Sequence, residues 1–369
     1  MIIRNPFSRD PFPLVSVLIP TYNQPEYFRQ ALESALNQDY PNIEIIVSDD
    51  STDDRVWKVA REYQGKIQYL QHREKIPPYA FSEMFNFENL LEHAHGEYID
   101  YLMHDDLFLP NRISKMMKIF LDDVNEEIAV VSSARYTANS KGEISMLWAP
   151  FHLLDPSGLT IMSGESAGRE LILNLVNFIG ELTTVIVRKK SFYSKFRAPN
   201  SQRYYTAGPY HAKISDVSVF LEAFRHGGLA FLSEPLSVFR TGLEFQDTNN
   251  IDSRLSCVAS WTFFITLAYL QGFYIRSFEE FIYSVDNWTS YILPSIFSSM
   301  PDSLKFRLEP LKRSINDILP AADYAVEGRY EEFLDAVIKR LLLYPETHSL
   351  IDRYVVKNYK GLWQKKEFM

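Results

Sequence analysis

A single cysteine, Cys257, stands in 369 residues. That excludes an internal disulfide and any zinc site built on several cysteine ligands, and it suits a reducing compartment. Long apolar runs are also scarce. The best candidate, Trp261 to Leu270, falls well short of the roughly eighteen residues that argue for a membrane helix, and Gln271 and Gly272 close it. Met1 to Asp10 is polar, with Arg4, Pro6 and Arg9, and does not read as a secretory leader, so a cytoplasmic location is expected. Basic residues are in deficit, 38 Lys and Arg against 47 Asp and Glu. The imbalance lies in the first part, 24 against 32 through Asn250 and 14 against 15 beyond it, which argues against a partner with a nucleic-acid backbone. No glycine-rich loop follows the first predicted strand, where the chain reads Thr21-Tyr22-Asn23-Gln24, and this disfavours nucleotidyl transfer to a sugar phosphate. Internal repeats and low-complexity stretches are absent as well.

What is present is an alternation of short β-branched runs and helical periodicities. Val15 to Ile19 predicts a buried strand closed by Pro20-Thr21-Tyr22-Asn23. Pro25 then suits a first helical position, and Phe28, Ala31, Leu32, Ala35 and Leu36 recur at helical spacing. A strand from Ile43 to Val47 completes a βαβ unit and runs into Asp49-Asp50. Further elements are a helix over 56–63, a strand over 67–70, a helix over 85–94, a strand over 98–103, a helix over 111–121 and a strand over 128–132. The run Tyr98 to Met103 leads without a break into His104-Asp105-Asp106. Later, Leu182 to Val187 predicts a strand carrying Thr183 and Thr184, and Ile214 to Phe224 a helix with Val217, Phe220, Leu221 and Phe224 on one face. The strand Ala230 to Phe239 is closed by Arg240.

Three strand tips thus carry polar clusters: Thr21-Tyr22-Asn23, Asp49-Asp50 and Asp105-Asp106. In an α/β sheet such tips share the ligand-binding edge. Tyr22 offers a ring for stacking on a base, Asp49 or Asp50 an acceptor for a base N–H or ribose hydroxyl, and Asp105-Asp106 oxygen ligands for a hard divalent cation that would hold phosphate oxygens. Together they describe a nucleoside diphosphate pocket, although each acid alone also suits a capped turn. Asp216, at or beside the N-cap of its helix, reads either as a cap or as a base kept ionised by the helix N-terminus.

The stretch VSVLIPTYNQPEYFRQALESALNQDYPNIEIIVSDDSTDD, followed by GEYIDYLMHDD, resembles the nucleotide-binding half of family 2 glycosyltransferases, inverting enzymes of the GT-A fold. The likeness runs from about Pro13 to Arg240. It implies an α/β fold, Rossmann-like, with a mostly parallel sheet flanked by helices. A GT-A domain would span 1–245, a nucleotide-sugar half over 13–122 and an acceptor half over 123–245, with a helical extension over 246–369. The implied activity is non-processive transfer of a sugar from a nucleoside diphosphate donor, UDP being the expected nucleotide, to a glycan, lipid-linked or protein-linked acceptor, with Mn²⁺ or Mg²⁺ bridging the diphosphate. By position, Pro20, Thr21 and Tyr22 would border the base and Asp50, with Asp49, the base or ribose. Asp106 would hold the metal, with Asp105 and His104 as further candidates, and Arg240 would face the diphosphate. Asp216 would be the general base, with Thr183, Thr184 and His211 on the acceptor side. Three departures stand out: Met103 replaces the first acid of the metal motif, the usual glycine after Asp49-Asp50 is missing, and Ser215 replaces the glutamate before the base. The first of these is the argument for the alternative, a binding protein of the same fold without catalysis. In the extension, Trp261, Phe263, Phe264, Tyr269, Tyr283, Trp288 and Tyr291 read as core or as a self-association face. The basic tail around Trp363 reads as a solvated terminus or as a contact for an anionic membrane surface.

Overall fold

The computed structural model describes residues 11–71, 82–192, 215–243 and 272–287, together with Trp261, Phe264, Ile265 and Ala268. Ten strands form one sheet. They are β1 (Val15–Thr21), β2 (Ile43–Asp49), β3 (Gln68–Gln71), β4 (Tyr98–Tyr101), β5 (Leu107–Phe108), β6 (Ile128–Ala138), β7 (Ile144–Trp148), β8 (Leu159–Met162), β9 (Val185–Arg188) and β10 (Gly228–Arg240). The helices are α1 (Pro25–Leu36), α2 (Arg55–Ala60), α3 (Ser82–His93), α4 (Arg112–Asp122), α5 (Gly164–Asn174), α6 (Ser215–Ala223) and α7 (Phe278–Asn287).

The sheet order is β3-β2-β1-β4-β9-β6-β10-β5, with β7 on β6 and β8 on β10. From β3 to β4 every pairing is parallel, and every residue of β1 is buried, as a strand covered on both faces requires. Val15, Val17 and Ile19 point to one face, where Phe28, Ala31, Leu32 and Ala35 of α1 and Ile113, Met116, Met117 and Phe120 of α4 cover them. Leu18 points to the other, with Phe87, Leu90 and Leu91 of α3. The period-2 alternation of the strand and the i, i+3, i+4, i+7 spacing of α1 thus meet in one core.

Beyond β4 the sheet is mixed. β9 runs antiparallel to both β4 and β6, so this four-residue strand joins the parallel part to the rest, while β6 and β10 are parallel with irregularities around Pro235. Wholly parallel pairing is therefore confined to the first half, where the expectation of a mostly parallel sheet holds, and the second half combines the parallel β6–β10 pair with antiparallel neighbours. Two local expectations change. Leu182–Thr184 is a 3₁₀ turn before β9 rather than part of a strand, closed by Thr184 N donating to Glu181 O at 2.8 Å. β6 extends well past Ser132 to Ala138. In the extension, α7 matches the start of an expected helix, and Trp261, Phe264, Ile265, Ala268 and Phe281 are buried in the same core as α5 and α6. Of the seven aromatics singled out in the extension, Trp261 and Phe264 are buried in the core, Tyr283 is exposed, and Phe263, Tyr269, Trp288 and Tyr291 lie outside the described residues. Most of the expected helical extension over 246–369, with the basic tail, lies outside the described residues.

Candidate active site

The register aligns the strand tips. Thr21 stands opposite Asp49, and Leu18 opposite Tyr101, which brings the residues after β4 alongside Pro20 and Thr21. Asn23, at φ 53°, knits the first two tips. Its N–H donates to Ser51 Oγ at 2.7 Å and its Oδ1 accepts from Thr52 N at 3.0 Å. Tyr22 leaves its ring 48% exposed beside this turn, available for stacking. The two neighbouring acids divide in a way the sequence leaves open. Asp49 is fully buried and accepts from Ser51 N at 2.9 Å and from the Tyr69 hydroxyl, so it holds the tip together. Asp50 is only partly buried and takes a bond from Asn86 Nδ2 at 2.7 Å. Burial raises its pKa to about 6 against the pull of that amide. Of the pair, Asp50 is the carboxylate a ligand can reach.

After β4, Asp106 N donates to Met103 O at 3.0 Å and turns the chain. The Asp106 side chain is fully buried, and each oxygen has a donor from the second half of the chain. Oδ1 accepts from Arg240 N at 3.1 Å and Oδ2 from Thr183 Oγ1 at 2.7 Å. Burial and the adjacent Asp105 charge nevertheless push its pKa well above the ordinary carboxylate range. His104 bonds the Pro20 backbone, and burial lowers its pKa, which favours the neutral ring. Arg240 is buried with its guanidinium on the Asp105 carbonyl at 2.6 Å, on Gln30 Oε1 and over the Tyr27 ring. It therefore buttresses the Asp105-Asp106 turn. Among the described residues no three acids, histidines or cysteines gather to hold a metal unaided. The two adjacent carboxylates of Asp105 and Asp106 still fit a hard cation of the kind that completes its shell with water and ligand phosphates.

Asp216 lies in the first turn of α6. Its Oδ1 accepts from Val217 N at 2.8 Å and its Oδ2 from Asn177 Nδ2 at 2.6 Å. The expectation of a carboxylate held firmly ionised by the helix is corrected. Burial outweighs the backbone donors and, with the charge of Glu181, raises the pKa to about 7. Asn177 also donates to Gly180 O at 2.9 Å and accepts from Ile179 N and Gly180 N, each at 3.2 Å, which fixes the loop that carries Glu181. Glu181 pairs with Arg135 Nη2 at 2.7 Å, and the Arg135 guanidinium lies 3.6 Å from the centre of the Trp148 ring. This buried cation is close enough to interact with Glu181, Asp106 and Asp216 together, so the last two acids border one region. Gly180 is required there: at φ 111°, a Cβ would lie 2.6 Å from Thr184 Oγ1 and 2.8 Å from Arg135 Nη1.

Thr183 and Thr184 are buried and face inward, Thr183 on Asp106 and Thr184 on the Glu181 carbonyl at 2.7 Å, so neither presents a free hydroxyl to an acceptor. His211 lies outside the described residues. Asn86, Arg135, Asn177 and Glu181 are additions that sequence reasoning missed. Arg135 falls beyond the predicted end of its strand, and the others act through partners far away in the chain.

The family model described as Glycosyl transferase family 2 matches residues 16–152. An uncharacterized glycosyltransferase of Rickettsia typhi is 37% identical over 118 residues, covering 32% of this chain and 35% of that protein. The GalNAc(5)-diNAcBac-PP-undecaprenol beta-1,3-glucosyltransferase of Campylobacter jejuni is 33% identical over 109 residues, covering 29% and 34%. The chain spans about a third or less of the length of the rickettsial relatives it matches. The crystal structure of S. aureus TarS 1-349 superposes with a TM-score of 0.50 at 15% identity over 95% of this chain and 90% of that one, a likeness of fold.

Proposed function

We propose that this chain, whose residues 16–152 match the family model described as Glycosyl transferase family 2, moves a sugar from a nucleoside diphosphate donor to a hydroxyl of a glycan, lipid-linked or protein-linked acceptor, with inversion. The observation that carries this reading is that one segment, from Asn177 to Thr183, holds both acids, Asp216 Oδ2 through Asn177 Nδ2 at 2.6 Å and Asp106 Oδ2 through Thr183 Oγ1 at 2.7 Å. It supports one crevice with a phosphate-side carboxylate and a base-side carboxylate. Tyr22 and Asp50 supply the stacking ring and the reachable acceptor for a nucleoside.

In the proposed step the acceptor oxygen attacks the anomeric carbon. The bond from that carbon to the diphosphate oxygen breaks with its electron pair, and Asp216 takes the acceptor's proton. A pKa of about 7 suits a base that works near neutrality. Asp106, with Asp105, would hold a Mn²⁺ or Mg²⁺ ion, which would supply charge stabilisation for the departing diphosphate. The name of the Campylobacter relative supports an acceptor carried on a polyprenol diphosphate. Among the described residues no helix is long and apolar enough to cross a membrane, so work at a membrane's cytoplasmic face would rest on peripheral contact.

The test is release of nucleoside diphosphate from a panel of UDP-sugars with Mn²⁺ and a lipid-linked or glycan acceptor, with and without chelator. Chelator-sensitive release with an inverted anomeric product is expected. Binding of a nucleotide sugar with neither transfer nor hydrolysis across a broad acceptor panel would favour the non-catalytic alternative, for which Met103 in place of an acid is the supporting observation.

A further inference from the structure

β4 carries an ion pair that its sequence context does not invite. Asp100 lies among Tyr98, Ile99 and Tyr101, all buried, and is itself fully buried, as is its partner Arg112 at the start of α4. Arg112 Nη1 donates to Asp100 Oδ2, and its guanidinium lies 4.0 Å from the centre of the Phe108 ring. Among the described residues Asp100 Oδ1 and Arg112 Nε find no hydrogen-bond partner. Such a pair is a poor way to hold a core together, because desolvation of two charges offsets most of their attraction and apolar residues of similar volume commonly do as well or better. Burial weighs on both partners, raising the pKa of Asp100 to about 7 and lowering that of Arg112.

The pair has one outward connection. Arg112 Nη2 donates to the Thr183 carbonyl at 2.9 Å, in the 3₁₀ turn before β9. The Thr183 hydroxyl accepts from Met103 N at 3.2 Å, which directs its own proton to Asp106 Oδ2 at 2.7 Å. With Arg240 N on the other oxygen, the rotation of the Asp106 carboxylate is set from two sides.

We propose that Thr183 is a positioning residue for Asp106, and that the buried Asp100–Arg112 pair exists to fix the turn that presents the Thr183 hydroxyl. The inference rests on reading Asp106 as the phosphate-side carboxylate, and it adds to that reading a support that begins in the middle of a core strand. Partners one shell removed from a metal ligand commonly matter roughly 10- to 100-fold in metal affinity.

Four variants test it: Thr183→Val, Thr183→Ser, Arg112→Met and the double variant Asp100→Leu/Arg112→Met. Three quantities are read: thermal stability, Mn²⁺-dependent binding of UDP by calorimetry, and the Asp106 side-chain conformation in crystals of each folded variant. Thr183→Val should fold, bind at least roughly tenfold more weakly and show Asp106 rotated, whereas Thr183→Ser should stay within about twofold of the parent. Arg112→Met should lose stability, because it strands a buried carboxylate. The double variant should regain that stability but not the binding or the carboxylate orientation. Parent-like binding and an unmoved Asp106 in Thr183→Val would overturn the role of Thr183. The same result in the double variant, or its failure to fold, would show that the pair serves the core and overturn that half of the proposal. If the parent itself bound no UDP with Mn²⁺, the transferase reading would suffer, while the crystal conformations of Asp106 would still decide the positioning claim.

Discussion

Replacing Asp216 by asparagine should make the protein a worse catalyst and, above neutral pH, a more stable fold. Asp216 ionises near pH 7 in the folded state, raised from 3.8 by burial and by Glu181. At low pH both folded and unfolded states hold the proton. As pH rises past about 4 the unfolded chain releases it first, so the fold loses stability until the folded group also ionises near pH 7. That loss amounts to ~4 kcal/mol, of which about 2–3 kcal/mol accrues between pH 5 and pH 8. Asparagine does not titrate. One of the donors from Val217 N and Asn177 Nδ2 loses a good acceptor, a roughly constant cost of ~1 kcal/mol. Urea unfolding of both proteins at pH 5 and pH 8 should therefore show the variant gaining about 2–3 kcal/mol on the parent between the two conditions. Over the same range, parent turnover followed by nucleoside diphosphate release should fall about tenfold per unit below pH 7, and the variant should turn over about 10²-fold more slowly with that acid limb gone. A stability difference that stays constant between pH 5 and pH 8, or an acid limb that survives the substitution, would refute the assignment of this titration to Asp216.

Asp106→Asn should abolish Mn²⁺-dependent donor binding, because a neutral amide is a poorer ligand for a hard cation, and calorimetry with and without the metal reads this directly. Gly180→Ala should cost about 2 kcal/mol or more, since its Cβ meets Thr184 Oγ1 and Arg135 Nη1 at a backbone conformation alanine disfavours, and the melting temperature reports the loss. Truncation after Tyr354 removes Lys357, Lys360, Trp363, Lys365 and Lys366 and should release the protein from anionic vesicles sedimented at low salt, each basic residue being worth roughly 1 kcal/mol near such a surface. Equal retention of the two forms would remove the tail as an anchor.

The parallel half of the fold was legible because its determinants are local. β-Branched runs, Pro25 at the start of α1 and the polar cluster at each strand tip lie within a few residues of what they specify. Thr183 and Thr184 misled for the same reason in reverse. Thr-Thr-Val-Ile-Val is a good strand sequence, but Arg112, far away in the chain, holds the Thr183 carbonyl in a turn. β6 reads past Ser132 only once Trp148 and Glu181 are known to shelter Arg135 in its interior. Asp49 and Asp50 look interchangeable in the sequence, and Tyr69 and Asn86 separate them. The helix that supports the charge of Asp216 is visible in the sequence, whereas the desolvation that opposes it arises from tertiary packing.

β9 also governs the order in which this protein can complete itself on the ribosome. β3, β2, β1 and β4 are all translated well before the three residues, Ile186, Val187 and Arg188, that pair along the free side of β4. At about 5–20 residues per second, the interval between β4 and β9 is on the order of ten seconds. Throughout it the nascent sheet ends in an unpaired strand whose four residues carry one charge, Asp100, among Tyr98, Ile99 and Tyr101, and an open edge of this kind recruits neighbouring chains. Polysomes carrying this message would hold such edges side by side, so soluble yield should depend more on how quickly Val185–Arg188 is delivered than on the stability of the finished fold.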